Sequence, residues 1–233
     1  MPIRLGGRTG EHSRAGFRGD DRAPDEIFRA GFSARDMLAE IRYRPFREEV
    51  FGPGRPSCRR GTAGDLDPDS GVSFSARVLA AALFPPRMDE TEPGVSDTWV
   101  YAIVVDRGVF NTALLQAQQA LDGLRNWQTM MGRAVDDAAA RCTFWPLYAQ
   151  EMATKRVPNT HVVGALRVTR SWNGGTYKGG ASLVFHGPPI FNFNCAIDTG
   201  TRRLMQDILT EYANDGAGDT PETESGFRRS TRR

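Results

Sequence analysis

The strongest pattern in the chain is an apolar block at 98–105, TWVYAIVV, rich in β-branched and aromatic residues. It predicts a buried strand. A second block at 161–169 carries Val162, Val163, Leu166 and Val168 and predicts another, and a third strand is expected at 181–185. GVSFS at 71–75 reads as a short strand with Ser73 and Ser75 on one face and Phe74 on the other, because side chains alternate along a strand. Helical spacing occurs at 33–44 (Met37, Leu38, Ile41, ended by Pro45) and at 76–84, stopped by Pro85 and Pro86. It recurs at 113–124 (Leu114, Ala117, Leu121, Leu124), 128–141 and 201–212. Proline, glycine and aspartate mark 51–70 as loop, 88–96 as an acidic loop and 172–175 as a turn. Short strands with helices clustered between them, and no internal repeat, predict an α+β domain rather than repeating βαβ units.

Composition sets the limits of that domain. The 233 residues suffice for one domain with a core. Hydrophobic residues make up 39%, against ~45–50% in typical domains on a count that includes glycine, which points to solvated ends. Residues 1–14 are expected to be a disordered segment, 15–213 the folded domain, and 214–233, ending Arg-Arg-Ser-Thr-Arg-Arg, a disordered basic tail. No apolar run is long enough for a transmembrane helix, and the N-terminus lacks the apolar core of a signal peptide. The chain is therefore expected to act inside a cell, to leave by a signal-independent route, or to be written without its leader. A net charge of +2 without a basic and aromatic stripe speaks against nucleic acid as partner. Of the 30 Lys and Arg only Lys155 and Lys178 are lysines. A GC-rich genome accounts for this, as does avoidance of the ubiquitin acceptor in a protein working inside a foreign cell. Cys58, Cys142 and Cys195 lack metal-ligand spacing, so no metal is expected; three unrelated thiols, or one pair and one free thiol, both fit.

Three segments carry candidate chemistry. FRGDDRAPDEIFRAGF at 17–32 places Arg18 beside Asp20 and Arg22 and ahead of a Pro-led helix. A guanidinium offers a rigid fork of donors suited to a phosphate; an ordinary surface arginine is the plain alternative. Ser73 and Ser75 can orient a carboxylate or a ribose hydroxyl, although Ser-x-Ser triplets are common. Glu151 lies between an apolar stretch at 144–148 and the stop Val157-Pro158. A glutamate there can accept a ribose hydroxyl and stabilise an oxocarbenium-like transition state; a surface glutamate paired with Lys155 four residues on fits equally.

Taken together, the segments resemble the mono-ADP-ribosyltransferase toxins of the pertussis-toxin and cholera-toxin (heat-labile enterotoxin) type. The opening matches their pattern of a hydrophobic residue, Arg, any residue, Asp, any residue, Arg-x-Pro and then Gly-Phe. GVSFS is similar to their Ser-Thr-Ser strand with Phe74 in place of threonine, and VYAIVVDRGVFNT is similar to the strand and Asn-Phe turn that follow. LYAQEMATKRVPNTHVVGALRV is similar to their glutamate loop and next strand. The resemblance covers roughly 15–170. It implies two small, mostly antiparallel sheets flanked by helices and forming an NAD cleft. It implies that Glu151 is the catalytic glutamate, that Arg18 holds the NAD phosphate and ribose side, that Asp20 and Arg22 shape that pocket, that Ser73 anchors the strand and that Ser75 positions Glu151. NAD would be the substrate, a host protein the acceptor, and a separate delivery or binding subunit a further partner. The chain would be a secreted virulence protein or an effector translocated into a host cell. The resemblance also implies a Cys58–Cys195 disulfide.

The departures have chemical content. Ala149 stands where the family often has an acid or amide two residues before the catalytic glutamate, with Gln150 one place off, which argues against arginine as acceptor. The interval from Glu151 to Pro158 is one residue shorter than in the best-known members. No histidine lies between the arginine segment and the serine strand; His12, His161 and His186 are the histidines, and His161 and His186 read as structural. An NAD glycohydrolase on the same fold, a degenerate partner-binding member without turnover, and an unrelated soluble ligand-binding domain are the other readings.

Overall fold

The computed structural model describes residues 4–6, 12–41, 69–83, 94–106, 110–111, 151–172 and 182–219. In chain order these form β1 (Arg4–Gly6), β2 (His12–Asp20), α1 (Pro24–Ala30), β3 (Phe32–Ser33), β4 (Val72–Ser75), α2 (Val78–Ala82) and β5 (Gly94–Val105). Then come β6 (Phe110–Asn111), β7 (Glu151–Thr154), β8 (Arg156–Val157), a 3-10 turn (Asn159–His161), β9 (Val162–Trp172), β10 (Ser182–Phe191), α3 (Thr199–Asp215) and β11 (Ala217–Asp219). Every strand pairing among the described residues is antiparallel. The fold is mixed α+β.

The apolar block at 98–105 is continuous because β5 is buried on both faces. Val100, Ala102 and Val104 join a core with Leu166, Val168, Leu183, Phe185 and the α3 residues Met205 and Leu209. Tyr101, Ile103 and Val105 join a second core on the other face, with Ile27, Phe32, Phe74, Met152 and Val157. A register shift between Ala102 and Ile103 lets β9 contribute Val162 to the second core and Val163 to the first.

The strands run in the order β11-β10-β9-β5-β2-β4-β7-β6, with β1 on β2 and β3-β8 as a separate two-stranded sheet. The two halves of the long path meet between β2 and β4 at a single register pair, Phe17 with Ser75. The two sheets expected from the resemblance thus appear as two parts of one path joined at one point. Gly16 permits the junction: a Cβ there would lie 2.5 Å from the Phe74 ring and 2.9 Å from the Ser75 carbonyl oxygen.

Local chemistry explains the helix ends. Proline opens α1 with acids in its first turn and Arg29 in its last, all favourable to the helix dipole. Asp198 caps α3 by accepting from the Thr201 amide at 2.8 Å, and Gly216 closes it in the left-handed region.

The helix expected at 33–44 does not form over its described part. Phe32–Ser33 pairs with β8, and the Asp36 carboxylate accepts from the amides of Leu38 and Ala39, both at 2.9 Å. That side chain takes the place of helical carbonyls. The apolar positions that suggested a helix are not buried: Leu38 is 97% exposed. Pairing also reaches into both segments read as disordered, through β1 at one end and β11 at the other, and α3 extends past 213 to Asp215. β5 begins inside the expected 88–96 loop, Trp172 ends β9 rather than starting a turn, and His161 ends the 3-10 turn rather than starting a strand. The helices expected at 113–124 and 128–141 lie outside the described residues.

Gly31 terminates α1 with φ +71°, and a Cβ there would lie 2.3 Å from the Val157 carbonyl oxygen. Strain and collision act together, so Gly31→Ala should cost roughly 2–3 kcal/mol. Urea unfolding should show a lower midpoint at unchanged slope; a midpoint equal to the parent's would contradict this packing.

Candidate active site

β2 carries Arg18 to the point where the sheet divides. Past the Phe17–Ser75 pair no further β2–β4 pairing forms, and the Arg18 side chain spans the gap. Its Nη1 donates to the Ser73 carbonyl at 2.7 Å, with Ser73 Oγ at 3.5 Å. A side-chain donor thus serves a strand carbonyl where the backbone ladder has ended. The guanidinium lies over the Phe32 ring, 5.1 Å from its centroid, and Arg22 lies over the same ring at 5.4 Å.

Asp20 holds the two arginines in register. It is 5% exposed and accepts from Arg22 Nε at 2.7 Å, Arg22 Nη2 at 2.9 Å, the Arg22 amide at 3.2 Å and Arg18 Nε at 3.3 Å. Burial alone would raise its pKa. The hydrogen bond from Arg22 and the charges of Arg18 and Arg22 outweigh burial and hold it below the ordinary value. The Asp20 bond in turn raises the Arg22 pKa. Arg22 also faces Glu26 at 3.7 Å. Its fork is spent on these acids, which makes it a brace within the site.

β4 and β7 bring in the other candidates. Ser75 is buried, and its Oγ accepts from the Arg77 amide at 3.0 Å at the start of α2. Across the ladder Ser73 faces Ala153, and Ser75 faces Glu151, the first residue of β7. Arg18, Ser75 and Glu151, far apart in sequence, therefore sit on three strands adjacent in space, β2-β4-β7. A small, open depression lies at the junction, with Arg18, Ser73 and Ser75 in its wall and Phe17, Phe74 and Ala81 beside them. Phe74 packs in the second core. The residue that departs from the Ser-Thr-Ser pattern thus faces the interior.

Two residues of this neighbourhood escaped the sequence reading. Thr98 Oγ1 donates to the Asp20 carbonyl at 2.9 Å, and the Tyr101 hydroxyl donates to the Arg22 carbonyl. Both hide inside a block read for its hydrophobicity; the signal was the two hydroxyls in TWVYAIVV.

The histidines lie elsewhere. His161 Nδ1 is 3.5 Å from Asp106 Oδ2, and His186 Nε2 is 2.7 Å from Thr169 Oγ1 on the β9–β10 face. Cys195 is a free thiol in the first core, and burial pushes its pKa up. Its expected partner Cys58 lies outside the described residues. Among the described residues no cluster of three metal-ligating side chains occurs, and no helix is long and apolar enough to cross a membrane.

No protein-family model and no curated protein matches the chain. Solved structures similar to it include the nicked CARDS toxin at 18% identity and TM-score 0.44, covering 85% of this chain and 32% of that one. The full-length CARDS toxin is similar at 16% identity and TM-score 0.44, covering 85% and 30%, and EcPltA at 16% and 0.40, covering 79% and 88%. The chain spans about a third of the CARDS toxin. Likenesses this distant carry nothing about the site, which stands on its own geometry.

The lowered Asp20 pKa fixes a sign for acid stability. Its contribution is complete above the ordinary value of 3.8 and is lost as pH falls through the lower folded value. Asp20→Asn should cost about 2 kcal/mol at neutral pH, less than a fully buried pair because both arginines are part-exposed. The parent–variant difference should shrink below pH 4, as followed by denaturant titrations across the acid range. A difference independent of pH would show that Asp20 is not bound as a carboxylate.

Proposed function

We propose that the chain is an NAD-dependent protein mono-ADP-ribosyltransferase. The observation that carries this reading is the convergence of Arg18, the Ser73–Ser75 strand and Glu151 on β2, β4 and β7 at the open junction of the sheet. The order and type of these residues are those the resemblance assigns to an NAD site.

In this reading Arg18, oriented by Asp20 and steadied on Phe32, grips the phosphate and ribose side of NAD through its fork. Ser75, directly across from Glu151, orients the carboxylate. Glu151 accepts a hydroxyl of the nicotinamide ribose and stabilises positive charge developing at C1. The bond from C1 to the nicotinamide nitrogen breaks and nicotinamide departs with the electron pair. A nucleophile of the acceptor bonds to C1 and gives up its proton. Ala149 offers no carboxylate to activate a guanidinium, so the acceptor is expected to be a side chain other than arginine. The same lack of an acceptor-activating acid favours, as second reading, an NAD glycohydrolase in which water takes the acceptor's place. The host target protein, a separate delivery subunit, and secretion or translocation into a host cell belong to the same proposal.

Purified protein incubated with labelled NAD and host-cell lysate should label protein and release nicotinamide. Glu151→Ala should lower both on the order of a hundredfold or more. Arg18→Lys, which keeps the charge but loses the fork, should weaken NAD binding by about tenfold. Nicotinamide release without labelled protein would establish the glycohydrolase. No turnover and no NAD binding by the parent would sink both readings.

A further inference from the structure

We propose that Thr98 and Tyr101, on β5, are positioning residues for Arg18, an inference that rests on the function proposed above. The β2–β5 ladder pairs Arg18 with Tyr101, Gly19 with Val100 and Asp20 with Trp99, and there β2 ends. Beyond Asp20 the chain must turn through Asp21 and Arg22 into the Pro-led α1. The carbonyls around that turn lie beyond the end of the ladder, and buried carbonyls need donors. The two hydroxyls of β5 supply them. Thr98, itself buried, serves the Asp20 carbonyl at 2.9 Å, and Tyr101 serves the Arg22 carbonyl. The turn that carries the Asp20 carboxylate is therefore clamped on both sides.

Tyr101 acts a second time through its ring. It meets Phe32 edge-on, centroids 5.4 Å apart at 75°, and Phe28 at 6.4 Å and 87°. Phe32 is the platform beneath both guanidiniums. One fully buried side chain thus fixes the platform under Arg18 and the turn that aims Asp20 at it. Burial, and then the neighbouring Asp20 charge, push the Tyr101 pKa up, so the phenol remains a donor wherever the protein is folded. A site of this kind tolerates little displacement, since a shift of about 1 Å in a group that grips substrate can cost up to a hundredfold.

The plain alternative is that both hydroxyls only satisfy the core. Tyr101→Phe keeps the ring and deletes one hydrogen bond; Thr98→Val keeps the shape and deletes the other. Leu209→Ala, in the first core where Leu209 packs beside Gly164 of β9, supplies a variant destabilised on the face of the sheet away from Tyr101. Each full-length protein is titrated with NAD by calorimetry, and the Arg18 Nε–Hε resonance, assigned through Arg18→Lys, is followed by NMR. The expected result is NAD affinity weakened on the order of tenfold in Tyr101→Phe and Thr98→Val, with the Arg18 resonance shifted toward that of a solvated arginine. Leu209→Ala should change neither. Parent-like NAD affinity and an unmoved Arg18 resonance in both clamp variants would overturn the proposal. Should the parent itself bind no NAD, the function falls while the Arg18 resonance still decides whether the clamp holds the guanidinium.

Discussion

The molecule turns on one contact, the meeting of β2 and β4 at Phe17 and Ser75. Everything from β11 to β2 forms one antiparallel surface, everything from β4 to β6 another, and among the described residues this pair is the only register contact that joins them. A sheet that divides after one pair leaves strand carbonyls without backbone donors, and a long flexible donor can then enter the gap. Arg18 does so at Ser73. The residue before the junction must also be glycine, because the Phe74 ring and the Ser75 carbonyl occupy the place of a Cβ at Gly16. The opening that makes a cleft and the residue that would use it are consequences of the same incomplete pairing.

An arginine pair so close together is repulsive unless something intervenes, and here a single buried carboxylate does. Asp20 accepts from Nε and Nη2 of Arg22 and shares one oxygen with Arg18. Glu26, 3.7 Å from Arg22, adds a second acid, so the two guanidiniums of the cluster face two carboxylates. Phe32 supplies the complement, a π face that tolerates two guanidiniums at contact distance. Arg22 does its work by pinning the carboxylate, and so the two arginines of one short motif have different tasks.

Much of this was legible because it is written in local pattern. The strand at β5 showed as an unbroken apolar block, since both of its faces are buried, and the short β4 showed as an alternation. The segment 17–32 displayed its charges in order, and Pro24 and Gly31 punctuate its helix as physics requires. What failed to show depends on distance. Met37, Leu38 and Ile41 have helical spacing, yet Asp36 captures the amides and Ala34 bonds to the Lys155 carbonyl, a partner that sequence spacing cannot reveal. Phe74 looked like damage to a motif until its neighbour across the junction, Gly16, explained its size. Thr98 and Tyr101 were read for apolar character because nothing local shows that the turn after the neighbouring strand β2, distant in sequence, would need their hydroxyls.

The same logic links the two ends of the site through its back. The helix that follows Arg22 ends at Gly31, packed against the Val157 carbonyl, and β3 then pairs with β8 in the strand that follows Glu151. Asn159 reaches the Phe28 carbonyl at 3.4 Å, while the buried Asn192 donates to the Asn159 and Val162 carbonyls, each at 2.8 Å. The Ala196 amide adds a bond to the Thr160 carbonyl at 2.9 Å. The segment leaving the arginine turn and the segment leaving the glutamate strand are thus bolted to each other and to the β10–α3 connection. Front and back together make a closed frame, with Arg18 and Asp20 on one limb and Glu151 on another. In such a frame the spacing between the strand that bears Arg18 and the strand that bears Glu151 is set by packed backbone instead of by loop conformation.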